Sequence, residues 1–329
     1  MKRVIALLTV VGMAACAAEL SREAQEVLRN GAKAKMTFLV TDSRGKPVTN
    51  ANVNVVFVFL GSLTKEVASL VTDTNGICVV EGVCSSRINC QFTKDGHYQT
   101  DFEHKYLTTY PEPNVKDGKW QPWNPTIEIT LKEKRNPIPM YIKKVRDDKL
   151  PKNEWIEFDC EKGDWVTPHG KGQTGDFSFH FKTSVMDWRR DQANRTNQLI
   201  IASKEDGGFI ELQKESGAFR SLYEAPETGY VPRIVLSHER ENGKVTKEVI
   251  IPQDRYLVFR SRVEKNEKGE IIHSRFGKIM SFTYGEGGNN GELGYVEFTY
   301  YFNPNDNDRN IEFATGQNLF GRREFNSEP

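Results

Sequence analysis

The chain has no net charge to spend on long-range attraction: 45 Lys and Arg stand against 45 Asp and Glu in 329 residues. That balance removes the pull toward nucleic acid or anionic lipid that a basic surface supplies. There is no C-x-x-C pair, so zinc and thioredoxin-like chemistry lack their usual frame. G-x-S-x-G and H-E-x-x-H are absent too, which removes the common serine-elbow and zinc-protease signatures. After the N-terminus no apolar run is long enough to cross a bilayer as a helix. Beyond one short segment no 3.6-residue apolar period is sustained over three turns, which excludes a helical bundle.

What is present favours strands. Hydrophobic residues are 37% of the chain and aromatics 11%, rich in Phe and Tyr. With many Val, Ile and Thr, these residues suit a pleated, half-buried surface. At the N-terminus, Lys2 and Arg3 precede the apolar "VIALLTVVGM", an n-region and h-region too short to span a membrane. Residues 1–17 therefore read as a signal peptide. "MAAC" ending at Cys16 resembles a bacterial lipobox, and Ala15-x-Ala17 fits a signal-peptidase site. The expectation is an exported protein, lipid-anchored through Cys16 in the cell envelope, or alternatively periplasmic or secreted. Membrane contact then comes only through a lipid anchor.

Export permits disulfides. Cys78, Cys84, Cys90 and Cys160 follow the signal. Parity in "GICVVEG" and "RINCQF" turns Cys78 and Cys90 toward apolar faces, and a Cys78–Cys90 bond between neighbouring strands is the preferred pairing.

"SREAQEVLRNG" predicts one short helix, capped by Ser21 and ended at Asn30-Gly31. From Lys33 to Leu131, period-two runs alternate with turns at Ser43-Arg44-Gly45 and Thr74-Asn75-Gly76. The elements "VTDSRGKPVTNANVNV", "VTDTNGICVVEGV" and "FTKDGHY" resemble the carboxypeptidase-regulatory-like domain, a transthyretin-like β-sandwich. Asp42, Gly45, Pro47 and Val48 match its first turn; Thr72, Asp73 and Gly76 its second; Lys94, Gly96 and Tyr98 its third. His97 departs from the pattern by standing between Gly96 and Tyr98. The resemblance implies a non-catalytic sandwich over residues 32–134. Pro137 and Pro139, flanked by charges, mark 135–150 as a linker. Residues 151–329 read as a second, larger antiparallel sandwich or jelly roll built from hairpins, so the whole is all-β. In "VPRIVLSHERENGKVTKEVIIP" the Asn242-Gly243 turn predicts Glu241 opposite Lys244, His238 opposite Lys247 and Leu236 opposite Val249.

Candidate sites are few. His238 and Glu241 have the H-x-x-E spacing of zinc carboxypeptidases, but three apart on a strand they face opposite ways. Gly163–Gly172 is a glycine-rich loop carrying Trp165, His169 and Lys171. It is not a Walker A loop, because Gly172 follows the lysine where Ser or Thr would bind magnesium. Trp120 and Trp123, set between prolines and polar residues, could stack on a sugar or close the first sandwich. "NPNDNDRN" offers Asn303, Asp306 and Asp308 as oxygen ligands for calcium. Its EF-hand spacing fails, and Arg309 is expected to neutralise Asp306 or Asp308. No cofactor is expected apart from that calcium. The reading is a non-catalytic binding or scaffold module whose partner is an envelope protein or glycan. The alternatives are a carbohydrate-binding protein, or a hydrolase with an unfamiliar site in the second unit.

Overall fold

A computed structural model describes residues 21–60, 65–107, 113–185, 195–204, 206–288 and 292–321. The signal segment and Cys16 lie outside the described residues. The chain divides into two compact units, Met1–Leu131 and Lys132–Pro329. Apart from one helix, the described elements are strands in sandwich-like sheets, and the fold class is all-β.

The first unit opens with α1 (Arg22–Asn30). Ser21 caps it by accepting from Ala24 N at 3.1 Å. Gly31 ends it at φ 77°, donating its N–H to Val27 O. Then follow β1 (Ala32–Thr41), β2 (Asn52–Val58), β3 (Lys65–Val71), β4 (Ile77–Cys84), β5 (Arg87–Thr93), β6 (Thr100–Lys105), β7 (Val115–Lys116), β8 (Lys119–Trp120) and β9 (Thr126–Thr130). One sheet runs β4-β1-β8-β7 with β9 also on β1; the other runs β3-β2-β5-β6. Their inward residues, among them Met36, Phe38, Val55, Phe57, Val80 and Phe92, form one core.

Two turns of this unit share a mechanism. Asp42 Oδ1 accepts from Arg44 N at 2.8 Å and Lys46 N at 2.9 Å. Asp73 Oδ1 accepts from Asn75 N and Ile77 N, both at 2.8 Å. Each carboxylate thus supplies acceptors that the turn backbone cannot find for itself. Cys78 and Cys90 do point into one core, yet they come from opposite sheets rather than from neighbouring strands, and they are thiols. Cys84 and Cys160 are buried thiols as well, so the expected Cys78–Cys90 bond is not formed.

The second unit contains β10 (Ile138–Leu150), β11 (Trp155–Asp159), β12 (Asp164–Trp165), β13 (Phe177–Val185), β14 (Arg195–Ser203), β15 (Gly208–Gln213), β16 (Arg233–Glu241), β17 (Lys244–Val249), β18 (Arg255–Lys265), β19 (Ile271–Gly287), β20 (Leu293–Phe302) and β21 (Phe313–Asn318). One sheet is β15-β18-β19-β20-β10-β21, the other β12-β11-β13-β14-β16-β17. Phe158, Phe177, Phe179, Leu199 and Ile201 of the second meet Phe259, Ile279, Phe298, Tyr300 and Phe302 of the first. The other face of the β18–β20 sheet is also covered: Tyr256, Val258 and Tyr301 pack with Ala225, Ile311 and Phe313 from loops and β21.

The segment 135–150 is therefore not a linker. Thirteen residues of it form β10, paired with β20 from Tyr141↔Phe302 onward. Pro139 is tolerated because it precedes that pairing and sits where the β21 register breaks, between Ile138 and Met140. Lys132 already belongs to the second unit: its ammonium donates to Ser221 O at 2.9 Å and pairs with Glu215 at 2.7 Å.

The 242–243 hairpin forms with positive φ at both turn residues, and Glu241 opposes Lys244 as expected. Beyond that the register differs. A bulge at Glu239/Arg240 brings Lys247 opposite Glu239, Glu248 opposite His238 and Val249 opposite Ser237. An extra residue on one strand shifts every later pair by one.

Candidate functional site

The tryptophans singled out by sequence serve the interior. Trp120 is 1% exposed, stacks on Tyr106 and donates its indole N–H to Cys84 O at 2.8 Å. Trp123 is half-buried beneath the Lys119 ammonium, 5.0 Å from its ring centre. Trp165 is buried and donates to Asp147 Oδ2 at 2.8 Å. The loop that follows keeps Lys171 exposed, its backbone N–H donating to Asp164, and holds His169 Nε2 3.9 Å from Glu154 Oε2. Trp120 and Trp123 belong to the first unit, and Trp165, His169 and Lys171 to the second.

The densest charged cluster is also structural. Arg262 sits at φ 51° in β18, in the left-handed region, beside a register break. Its guanidinium donates to Asp176 through Nε at 2.9 Å and a terminal nitrogen at 3.1 Å, and reaches Glu161 at 3.0 Å and Asp159 at 3.4 Å. Asp176 also accepts from Cys160 N and from Ser261 Oγ. Asp159 accepts from the backbone N–H groups of Glu161, Lys162, Gln173 and Thr174. Burial pushes the Asp159 carboxyl up. The bonds from Gln173, Thr174 and Lys162, with the charge of Arg262, outweigh that and hold it below the ordinary carboxylate range. These carboxylates are committed to tying a loop to a bulged strand.

The feature that points outward is Trp155. In Trp155-Ile156-Glu157-Phe158, Ile156 and Phe158 are core residues, so alternation turns Trp155 and Glu157 to the other face. Trp155 is 51% exposed and its ring lies 5.0 Å from that of His180. The register then runs straight across the sheet: Trp155 opposite His180, His180 opposite Ile200, Ile200 opposite Val235. Val235 is 41% exposed. On either side of this row, alternation places Glu157, Lys182 and Gln198 on the same face. Glu157 is held by Lys204 at 3.1 Å. An aromatic and aliphatic strip, its two rings tilted 53° to one another and edged by a carboxylate, an amide and an ammonium, can take a ligand with an apolar face and a polar rim. His169 approaches the same end through Glu154, the residue preceding Trp155.

No family model matches the chain. No curated protein matches it in sequence. Solved structures with partial likeness include 3-chlorocatechol 1,2-dioxygenase from Rhodococcus opacus 1CP, at 11% identity and TM-score 0.25 over 31% of this chain and 60% of that one. A streptococcal ancillary pilin matches at 12% identity and TM-score 0.22, over 67% of this chain and 56% of that one. A proposed carbohydrate-binding protein from Bacteroides uniformis ATCC 8492 matches at 13% identity and TM-score 0.18, over 81% of this chain and 96% of that one. Likenesses at these TM-scores carry no functional assignment.

The Asn-rich loop is a braced corner. Asn303 is fully buried; its amide donates to Asp308 O at 3.0 Å and Asn310 O at 2.8 Å and accepts from Asn305 N at 2.8 Å. Asp308 accepts from Asn310 N at 3.0 Å. Asp306 lies against the Arg275 guanidinium and 3.7 Å from His273. The expected partner is replaced: Arg309 reaches across to Glu224 at 3.0 Å and Glu227 at 3.3 Å. Among the described residues no group of three His, Cys, Asp or Glu side chains is placed to hold a metal ion. Nor is any helix of the described residues long and apolar enough to cross a membrane.

Proposed function

We propose that this is an exported cell-envelope protein that binds carbohydrate through the outer face of β11, β13, β14 and β16, without catalysing a reaction on it. The observation that carries the reading is Trp155, half-exposed in register with His180, Ile200 and Val235. One exposed tryptophan alone would be ordinary, but in register with further apolar side chains it forms a contiguous patch of the kind that marks a binding surface. A pyranose has the complementary shape, with C–H groups on one face and hydroxyls around the rim. Glu157, Gln198 and Lys182 supply rim partners. The "MAAC" segment supports anchoring through a lipid on Cys16. The Asp42 and Asp73 turns support the likeness of residues 32–134 to the carboxypeptidase-regulatory-like domain.

The test is affinity electrophoresis of the exported protein in gels containing soluble polysaccharides. Retardation by at least one polysaccharide is expected, with Trp155→Ala weakening it about tenfold or more. Trp123→Ala is expected to change nothing. A protein that migrates freely in every gel, or a Trp155→Ala variant retarded like the parent, would overturn the proposal.

A further inference from the structure

The outer face of the β3-β2-β5-β6 sheet in the first unit carries side chains that its strands do not need. On β2, Val53, Val55 and Phe57 are core, so alternation turns Asn52, Asn54 and Val56 outward. On β5, Ile88, Cys90 and Phe92 are core, and Asn89, Gln91 and Thr93 face outward. Register sets the two strands side by side: Asn54 opposes Gln91, Val56 opposes Asn89 and Asn52 opposes Thr93. Asn54 and Gln91 are thus cross-strand neighbours, with Asn52 and Asn89 on their diagonals, and the four amides form one patch. Asparagine is depleted in strands, so three on two adjacent strands work against the local preference. The opposite sheet of the same unit shows the ordinary choice, with Lys33, Lys35 and Thr37 outward on β1.

The patch is recessed and bordered. Two hollows of about 450 and 520 Å³ open on this face, and Asn54 lines both. Asn89 and Gln91 line the first, Asn52 and Thr93 the second. Small-molecule sites occupy about 300–1,000 Å³, so there is room for a ligand. On one side β3 contributes Val67 and Val71, 64% and 59% exposed, opposite Val56 and Asn52. On the other, β6 contributes Asp101 opposite Gln91 and Glu103 opposite Asn89. Glu103 is matched by Arg87 at 3.5 Å and Lys105 at 3.1 Å, and Asp101 accepts from the Gln99 amide at 3.0 Å. Between these borders, β2 and β5 present no charged side chain over Asn52–Val56 and Asn89–Thr93.

A neutral ligand with hydroxyls and C–H surface fits this combination. An amide donates and accepts, as a hydroxyl does, and Ser69 Oγ orients the Asn54 amide by donating to its Oδ1 at 3.0 Å. The exposed valines offer the apolar border. An extended peptide is disfavoured, because β2 and β5 are paired on both sides and leave no backbone edge for it to join.

We propose that this amide-lined face of the first unit is a second binding site, for a neutral glycan, held by Asn52, Asn54, Asn89 and Gln91. It shares no residue with the Trp155 face and does not rest on the reading of that face.

The experiment is isothermal titration of the exported protein carrying Trp155→Ala, so that the other face is disabled. The probes are xylotetraose, cellotetraose, maltotetraose, mannotetraose and N-acetylchitotetraose, alongside tetragalacturonate and a Thr-Val repeat peptide. At least one neutral tetrasaccharide is expected to bind. Asn54→Ala and Gln91→Ala, added singly, are each expected to weaken that binding about tenfold or more. Both side chains face outward, so these variants should keep the Tm of the protein they were made in. Lys33→Ala, on the opposite sheet, is expected to change nothing. The proposal is overturned if no neutral tetrasaccharide binds, if only tetragalacturonate or the peptide binds, or if both amide variants bind as well as the protein they were made in.

Discussion

Asp42 in the first unit and Asp159 in the second are each the acceptor hub of a turn. Burial raises both carboxyls, and for Asp42 the bonds from Lys46 and Arg44 outweigh it, as those from Gln173, Thr174 and Lys162 do for Asp159. Both folded pKa values therefore lie below the ordinary value. A group so depressed stabilises the fold fully above its unfolded pKa, about 3.9 for Asp, and that contribution is lost as pH falls through the folded value. Tm measured between about pH 6 and pH 3 should fall on the acid side. Asp159→Asn should lower Tm at neutral pH and flatten the acid slope; an unchanged slope would remove Asp159 from the account. Arg262 is the other residue on which much depends. Arg262→Met would leave Asp159, Asp176 and Glu161 without their shared cation, and breaking a buried pair costs about 3–5 kcal/mol. The Asp42 turn was legible in its D-x-x-G spacing. The Arg262 cluster was not, because its members come from distant stretches of chain and no local pattern joins them.

Elements carry the next set of constraints. Gly277 on β19 lies beneath the Phe259 ring and against Tyr301 O, so a Cβ there would meet both. Gly277→Ala should cost about 1–3 kcal/mol by overpacking. Gly285→Ala, whose Cβ would meet only Tyr295 at 3.8 Å, should stay within about 0.5 kcal/mol of the parent. Urea midpoints of the two variants decide it, and equal shifts would contradict the packing argument. At the sheet edge, all six residues of β17 are exposed, and its bulge leaves Thr246 out of the register, its hydroxyl donating across to Glu239 O at 3.3 Å. Lys244, Lys247 and the bulge together discourage pairing with another chain. The strands themselves, their alternation and the Asn242-Gly243 turn were readable from sequence. The bulge was not, since "KVTKEV" shows no face preference that a one-residue shift would violate. Pro139 misled for the opposite reason: its rule is sound for a continuous ladder, and β10 begins with an interrupted one.

At the scale of the molecule, each unit owns its core, so each is expected to unfold as its own cooperative block. Differential scanning calorimetry should resolve two contributions, with Asp42→Asn displacing one and Asp159→Asn the other. Displacement of the whole endotherm by either substitution would show a single block. The all-β class followed from period-two patterning and turn residues. The Trp155 surface was within reach of the same parity argument, since its neighbours Ile156 and Phe158 are the apolar phase of that strand.

The pairing of β10 with β20 and β21 also governs how the second unit comes into being. Tyr141 opposes Phe302, and Ile138 opposes Phe313, so almost the whole unit lies between strands that must zip together. Contacts of such long range form slowly, because a large loop must close before they reward it. An emerging chain has its β10 edge bare until the final strands arrive. Folding of this unit is thereby deferred until synthesis is nearly finished. The same layout makes the last strands a completeness check: a chain cut short before β20 cannot cover Ile142, and it would leave that apolar edge exposed to aggregation and proteolysis.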